Sequence, residues 1–388
     1  TVVIMAVLGS LIALPALLAI LGHRVDKGVV RRSSLTPKED GRWAQTARFV
    51  MRRPVAVVVL SLMLLTVLAA PIKNIVFSQV DSRVLPASNP AAFASNIISE
   101  RFPGQEGNPI EIIVPKGAFM GTQINQYTTE IAKVPGIVRI GDSQVSGDDV
   151  RVTAVHSMSP RTPEAEALIN EVRKIRAPEG TLIGGVAADY ADAQIGIAKT
   201  MPWALLWIAI GVLVLLFAFT GSIILPIKAV ILNILSLAAT MGAITWIFVD
   251  GHLKWLVGDF TTTGAVDTGS IILVAVVAFG LSMDYEVFLL SRIKEEHDAG
   301  KSNIESVATG LQRSARIITA AAGLLAIVFA SFMLSGVTSI KMLGFGVAFA
   351  IVLDATLVRA LLVPALMRLF GERNWWAPTA MKRFTINH

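Results

Sequence analysis

Long apolar runs alternate with polar segments along the chain, and seven of these runs are long enough to cross a lipid bilayer. A helix that spans the hydrocarbon core needs at least roughly 18 mostly apolar residues. The runs cover residues 1–21, 55–72, 203–220, 223–249, 270–290, 317–336 and 342–366. The pattern therefore predicts a polytopic α-helical membrane protein.

The first run stands apart from the other six, because a polar and basic segment at 23–53 follows it. We expect residues 1–22 to be the last helix of a first repeat that lies outside this chain. The start also lacks an initiating Met and a basic leading region, so it predicts the tail of a longer chain and not a signal peptide. The other six runs, one at 54–72 and five within 201–370, are expected to form one bundle.

Basic residues predict which side of the membrane each loop occupies. The segment 23–53 is rich in Arg and Lys, so the positive-inside rule predicts a cytoplasmic linker. Its part at 41–53 has the pattern of a short amphipathic helix that lies in the membrane interface. Counting crossings then places the long segment 73–200 outside the cell and the tail 371–388 inside.

The segment 73–200 has the pattern of a folded domain. A helix is expected to begin at Pro90, followed by the order strand, helix, strand, strand, helix, strand, with Thr162 capping the second of these helices. This order is that of a ferredoxin-like α+β domain. A further helix at 189–199 is expected to run from this domain into the next span.

Composition narrows the function classes. Of the 388 residues, 54% are hydrophobic, 16% are charged and none is Cys, which excludes disulfides, thiolate metal sites and thiol catalysis. The net charge of +6 is carried beside the apolar runs, where it anchors membrane topology, so no nucleic-acid partner is expected. The five His residues lie apart and no phosphate-binding loop or hydrolase motif is present, so we expect neither an enzyme nor a bound cofactor or metal.

Asp284 interrupts the run 270–290, with Tyr285 and Glu286 directly after it. A charged side chain at bilayer depth costs at least roughly 2.5–3.5 kcal/mol on insertion scales, which marks a functional site unless the group reaches water. Glu286 lies nearer the edge and has a longer side chain, so we interpret it as reaching the headgroup region. Asp284, beside the hydroxyl of Tyr285, is a candidate proton-binding site, with pairing to Arg292 as the alternative.

The last run contains a second carboxylate, Asp354, with Arg359 five residues later. Five residues advance an α-helix by about 500°, so the two side chains are not expected to face each other directly, although Arg359 is long enough to bend toward a neighbour. An Asp in one helix and an Asp with an Arg in another predict a charge network between helices. Small residues permit close helix approach around it; they are Gly280, Ser282, Ala321, Ala322, Gly323, Gly344, Gly346, Ala348 and Ala350.

Three segments of the last third closely resemble the MmpL proteins, large mycobacterial membrane proteins of the resistance-nodulation-division (RND) superfamily. They read FGLSMDYEVFLLSRIKEEHDAG, SARIITAAAGLLAIVFASF and GFGVAFAIVLDATLVRALLVPALMRLFGERNWWAP. The resemblance covers nearly the whole chain. It implies a six-helix RND-type bundle with one extra N-terminal span and a porter domain of ferredoxin-like type on the periplasmic side of the inner membrane.

The resemblance also implies a function and a set of site residues. Members of the family export lipids, glycolipids, siderophores or drugs, driven by proton entry. Its proton-relay pair matches Asp284 and Tyr285, its essential Asp and Arg match Asp354 and Arg359, and Gly280 and Ser282 fit the surrounding motif. A second Asp-Tyr pair and a first porter domain are not in this chain, so the resemblance implies a first-half polypeptide or a missing N-terminal half as partner.

The leading hypothesis is half of a proton-driven exporter of a lipid or another amphipathic molecule, with protons as the coupling ion. The alternatives are a lipid- or sterol-sensing module that does not pump, an accessory to protein translocation, a drug efflux component, and an inactive relic of a split gene. A titratable residue in the membrane, Asp284, favours the pump because a sensor does not require one.

Overall fold

The computed structural model describes residues 2–22, 24, 41–86, 88–102, 104–378 and 381. Most of the predicted linker 23–53 and the end of the predicted tail 371–388 lie outside these residues. Within them the helices are, in chain order, α1 (Val2–Leu21), α2 (Arg42–Arg52), α3 (Pro54–Asn74), α4 (Pro90–Arg101), α5 (Gly121–Ala132), α6 (Pro163–Lys174), α7 (Val186–Thr220), α8 (Ile224–Val249), α9 (Lys254–Val257), α10 (Thr268–Asp298), α11 (Asn303–Leu334) and α12 (Thr338–Trp375).

Seven of the described helices are long and apolar enough to cross a membrane, namely α1, α3, α7, α8, α10, α11 and α12. The chain is therefore a polytopic, multi-pass membrane protein, as predicted. Several helices extend well beyond the apolar runs: α11 begins at Asn303, where the Ser302 hydroxyl accepts a hydrogen bond from the Glu305 N–H at 3.4 Å. Polar residues at such an end complete the helix outside the apolar run, so hydropathy alone underestimates its length.

A four-stranded antiparallel sheet with an additional short strand lies between α4 and α7. The strands of the described chain are β1 (Phe77–Ser78), β2 (Ile110–Val114), β3 (Ile137–Ile140), β4 (Gln144–Ser146), β5 (Asp149–His156), β6 (Leu182–Gly184) and β7 (Val266–Asp267). The sheet order is β3-β5-β2-β6, with β4 paired to β5 as a hairpin. Alternate residues of β2 are fully buried, and with those of β5 they pack against α5 and α6 in one core.

The sheet domain continues directly into the bundle. Helix α7 is 35 residues long; it begins beside β6 and ends at Thr220. Gly221 follows with φ 65°, the left-handed conformation that ends many helices. The Tyr190 hydroxyl at its start donates to the Phe77 carbonyl at 2.9 Å, and β1 pairs with β7 just before α10, so the domain is attached at two points.

The bundle core is formed by α3, α8, α10, α11 and α12, and the C-terminal end of α7 packs beside them. Helix α2, which falls in the predicted segment 41–53, packs its apolar side on this core through Ala44, Ala47 and Met51. The Ala44 N–H donates to the Gln312 side-chain oxygen at 3.0 Å. The location of α2 in the membrane interface remains a prediction.

Helix α1 differs from every other span. Each of its residues is exposed, so it packs against nothing in the described chain. A helix of this composition has no polar face of its own to present to water. Its packing surface must therefore be lipid or another polypeptide.

Candidate functional site

A buried ion pair within α12 contacts α10 near the middle of both helices. The Arg359 guanidinium nitrogen Nη2 lies 2.5 Å from the Asp354 carboxylate oxygen Oδ2, and both side chains are at least nine-tenths buried. The same Nη2 donates to the Ser282 carbonyl of α10 at 2.5 Å. The guanidinium carbon lies 5.1 Å from the centre of the Tyr285 ring, so the cation is also covered by an aromatic face.

The pairing of residues five apart depends on a π-helical segment. Residues Asp354–Leu362 adopt the wider helix in which each N–H bonds five residues back, and Val363 N–H donates to Val358. Pro364 follows, which has no N–H to offer and whose ring disfavours the normal α-helical approach to residue 360. The expectation that Asp354 and Arg359 do not face each other was wrong, because it assumed an α-helix throughout.

Close helix packing occurs on α12 in the part of the helix that precedes the ion pair. A Cβ added at Gly344 would meet the Phe329 carbonyl at 2.6 Å, and one at Gly346 would meet Ile244 at 2.7 Å. At Gly280 and Gly323 nothing lies within 4 Å. The predicted small-residue contacts therefore occur around α12, whereas Gly280 faces open space in this chain.

Asp284 lies on the opposite side of α10 from the ion pair. Spacing of three and four residues places it on one stripe with Leu273, Val276 and Gly280, and all four are exposed. Within the described residues it forms no hydrogen bond and no ion pair, either with Tyr285 or with the predicted alternative Arg292. The structure thus brings Ser282, Tyr285, Asp354 and Arg359 together and leaves Gly280 and Asp284 on an outer face.

Two charged residues were not predicted to belong to the site. Glu286 is only 7% exposed, which contradicts its interpretation as a residue that reaches the headgroup region. Its helical position, four residues after Ser282, places it on the inward face of α10. Lys228 of α8 lines the same cavity as Glu286. A Lys inside the apolar run 223–249 was the signal that could have identified it.

Metal binding has no candidate in the described part of the chain, where no group of three or more His, Asp or Glu lies close enough to hold an ion. The prediction that protons are the only coupling species is not tested by this geometry. It remains a prediction.

Comparison with known proteins places these residues in a family context. The model of the MMPL family matches residues 83–385. A membrane protein of Streptomyces coelicolor is 37% identical over 384 residues, which is 98% of this chain. The trehalose monomycolate exporter MmpL3 of Mycobacterium tuberculosis is 32% identical over 98% of the chain, and the mycolic acid-containing lipids exporter MmpL11 of Mycolicibacterium smegmatis is 33% identical over 97%.

The relatives are longer than this chain. The match covers 53% of the Streptomyces protein, 45% of MmpL3 and 41% of MmpL11. The chain therefore spans about half the length of the curated relatives it matches.

Proposed function

This chain belongs to the MMPL family, and on that premise we propose that it is the second half of a two-repeat transporter. The transporter exports a lipid, a glycolipid or another amphipathic molecule across the inner membrane, driven by the proton-motive force. Two of the relatives are named as exporters of mycolic-acid-type molecules, which supports a lipid-like substrate and a transport function instead of catalysis.

The exposed surfaces of the bundle support a partner. Helix α1 has no packing partner in the described chain, and Asp284 faces outward without a counter-charge. An ionised Asp that faces lipid costs at least roughly 2.5–3.5 kcal/mol, so this face is better covered by protein than by acyl chains. A first half, encoded with this chain or separately, would cover both surfaces, in keeping with the greater length of the relatives.

The sheet domain fits the role of a porter domain. Its strand order β3-β5-β2-β6, with two helices packed against the sheet in one core, supports the proposal of a ferredoxin-like porter domain. We place it on the periplasmic side, because the opposite end of the bundle carries the basic residues Arg292, Lys301 and Arg368. Substrate would leave the membrane through a path between this domain and its counterpart in the first half.

The observation that carries proton coupling is the buried pair of Asp354 and Arg359. A proton that binds the Asp354 carboxylate cancels the charge that holds Arg359. The guanidinium, which also donates to the Ser282 carbonyl of α10, then loses its ion-pair partner at the α10–α12 contact. Release of the proton restores the pair. Two arrangements of one helix contact, selected by one proton, are what an alternating transporter requires.

Asp284 completes the relay on the other side of α10. In the assembled transporter its carboxylate faces the first half, where it binds a proton that enters from the periplasm. Tyr285 stands between the two sites: it adjoins Asp284 in sequence, and its ring covers Arg359. Proton movement through the relay therefore couples the interface between halves to the packing within this half.

The test is proton-driven lipid efflux in vesicles that contain both halves. Asp284→Asn keeps the size and hydrogen bonding of the side chain but does not titrate, so transport should be abolished while membrane insertion persists. The control is Asp298→Asn, a carboxylate at the end of the same helix that pairs with Lys294 at 2.7 Å, and it should transport normally. Transport by Asp284→Asn at the wild-type rate would refute the proposed relay, and proton-independent lipid binding by the wild type would favour a sensing module.

A further inference from the structure

A small cavity lies at the end of the bundle away from the sheet domain, between α8, α10 and α12. Its volume is about 10 Å³, near the lower limit for one water molecule. Seven of its lining residues are apolar, and the two charged residues are Lys228 and Glu286. Water at this position would have a cation and a carboxylate as its polar neighbours.

Lys228 is held in place from the end of α12. Its ammonium group donates to the side-chain oxygen of Asn374 and lies 5.0 Å from the centre of the Phe370 ring. The Asn374 amide nitrogen donates in turn to the Met367 carbonyl at 2.8 Å, and Asn374 is fully buried. The cation is therefore positioned at the edge of the cavity by a rigid set of contacts.

Glu286 is buried within electrostatic reach of two cations but pairs with neither. Among the described residues it has no hydrogen bond and no ion pair, yet Arg359 and Asp354 of α12 and Lys228 of α8 all act on it electrostatically. Arg359 also has two buried nitrogens, Nε and Nη1, without a partner in the described chain. The guanidinium thus has hydrogen-bonding capacity beyond Asp354.

A second cavity of about 10 Å³ lies on the far side of Arg359, lined by Tyr285 and Asp354 among others. Glu286 does not line this second cavity; it lines the one that Lys228 also lines. Asp284 and Tyr285 are the neighbouring titratable groups on α10 itself. Of the described residues, the charged groups that act on Glu286 are Arg359, Asp354 and Lys228.

Glu296 provides an internal contrast on the same helix. It is 4% exposed, as buried as Glu286, but it forms ion pairs with both Lys301 and Arg313. Two direct cations fix its charge, so it has a structural role. Burial alone does not distinguish the two residues; the absence of a direct partner in the described chain does.

We propose that Glu286 is a proton-transfer residue that carries protons from the Asp354–Arg359 pair to the end of the bundle marked by Lys228. A proton leaves the Asp354 carboxyl and binds a Glu286 carboxylate oxygen, while the Asp354 carboxylate regains its ion pair with Arg359. The proton then passes to water in the cavity beside Lys228 and into solvent, which returns Glu286 to its ionised form. One proton enters and one leaves, with no other group changed.

This inference rests on the proposed proton coupling, so its test separates the two. In vesicles with both halves and an imposed pH gradient, proton uptake and lipid efflux are measured for the wild type, Glu286→Gln, Glu286→Asp and Glu296→Gln. Loss of a positioned proton-transfer group typically costs on the order of 10²–10⁴-fold, and cavity water offsets part of this. We therefore expect Glu286→Gln to slow both rates at least about tenfold and to flatten their pH dependence, with partial recovery in Glu286→Asp.

Glu296→Gln should lower thermal stability while its pH profile keeps the wild-type shape. No proton coupling in the wild type would overturn the proposed function. A coupled wild type together with a Glu286→Gln variant of unchanged rate and pH profile would overturn this inference alone.

A second measurement does not require transport. A hydrophobic carbodiimide reacts with protonated carboxyl groups in apolar surroundings, and the modified peptide is identified by mass spectrometry. Glu286 of the folded chain should be labelled, less so as the pH rises, whereas the paired Glu296 should not. A Glu286 that stays unlabelled at every pH at which the chain is folded would contradict a proton-transfer role.

Discussion

The two faces of α10 differ in how completely this chain surrounds them. The inward face carries Ser282 and Glu286, both 7% exposed, and meets the Asp354–Arg359 pair of α12. The outward face carries Gly280 and Asp284, which are both exposed, and nothing in the described chain lies within 4 Å of a Cβ added at Gly280. The inward side of α10 thus meets a buried ion pair, whereas its outward side carries one carboxylate that has no ion-pair partner in the described chain.

The difference shows which interactions are internal to this half. A buried ion pair with aromatic and backbone contacts is stable without further partners, because its desolvation is offset within the chain. An exposed Asp on an apolar stripe gains nothing from this chain. We therefore regard the inward face as part of the folding core and the outward face as a surface for assembly.

Arg359→Ala should produce the largest effect, because it removes the cation of the buried ion pair on the inward face. It leaves the buried Asp354 without its cation, and breaking one partner of a buried pair typically costs about 3–5 kcal/mol. We expect a large fall in the unfolding midpoint of the purified chain in detergent, measured by thermal or denaturant unfolding.

The matched control replaces both charges, as Asp354→Asn with Arg359→Gln. This variant has no unpaired buried charge, so much of the lost stability should return while proton-driven transport stays absent. If Arg359→Ala unfolds at the wild-type midpoint, the inward face is not a folding element and the contrast between the faces fails.

Glycine substitutions compare a closely packed position with an open one, and their effect on stability should be intermediate. A Cβ at Gly310 of α11 would meet the Ile293 backbone of α10 at 2.9 Å, whereas one at Gly280 meets nothing within 4 Å. Overpacking costs typically about 1–3 kcal/mol, against a gain of about 0.5–1 kcal/mol for Ala over Gly in a helix. Gly310→Ala should therefore lower the stability of the chain and Gly280→Ala should raise it slightly.

Co-purification with a first half tests whether the outward face is the surface for assembly. Gly280→Leu should leave the isolated chain folded but weaken its co-purification with the first half, because the larger side chain occupies the surface that the partner would approach. Gly323→Leu, at another open position of the described chain, is the matched control for a larger side chain on the surface. Equal co-purification of Gly280→Leu and wild type would mean that the outward face is not the contact.

Sequence pattern predicted the seven spans and the order of elements in the sheet domain, except the short strand β4. These features depend on local properties: the length of an apolar run, the alternation in a strand such as Ile110–Val114, and the turn residues between elements. The same pattern identified Asp354 and Arg359, because charge in an apolar run is conspicuous wherever the helix lies.

The orientation of side chains around the helices was not predictable in the same way. Asp284 and Glu286 are two residues apart, so they point to different sides of α10, but a single sequence does not say which side meets the core. The expected geometry of Asp354 and Arg359 failed for a different reason. A π-helical segment changes the angular relation of residues five apart, and Pro364 was its only local signal.

Substitutions of Tyr285 should have the smallest effect. They distinguish a role of its ring beside Arg359 on the inward face from a role of its hydroxyl beside Asp284 on the outward face. Its hydroxyl was expected to bond to Asp284, but the structure instead places the ring 5.1 Å from the Arg359 guanidinium carbon. A cation–π contact is worth about 0.5–1 kcal/mol when exposed and about 2 kcal/mol or more when desolvated. Tyr285→Phe keeps the ring, so it should retain both the stability of the chain and most of the transport. Tyr285→Leu removes the ring and should lower stability by about 0.5–2 kcal/mol, measured by unfolding in the same detergent. If Phe impairs transport as strongly as Leu while stability is unchanged, the hydroxyl serves the outward Asp284 in the assembled transporter, and Tyr285 belongs to the assembly face and not to the inward one.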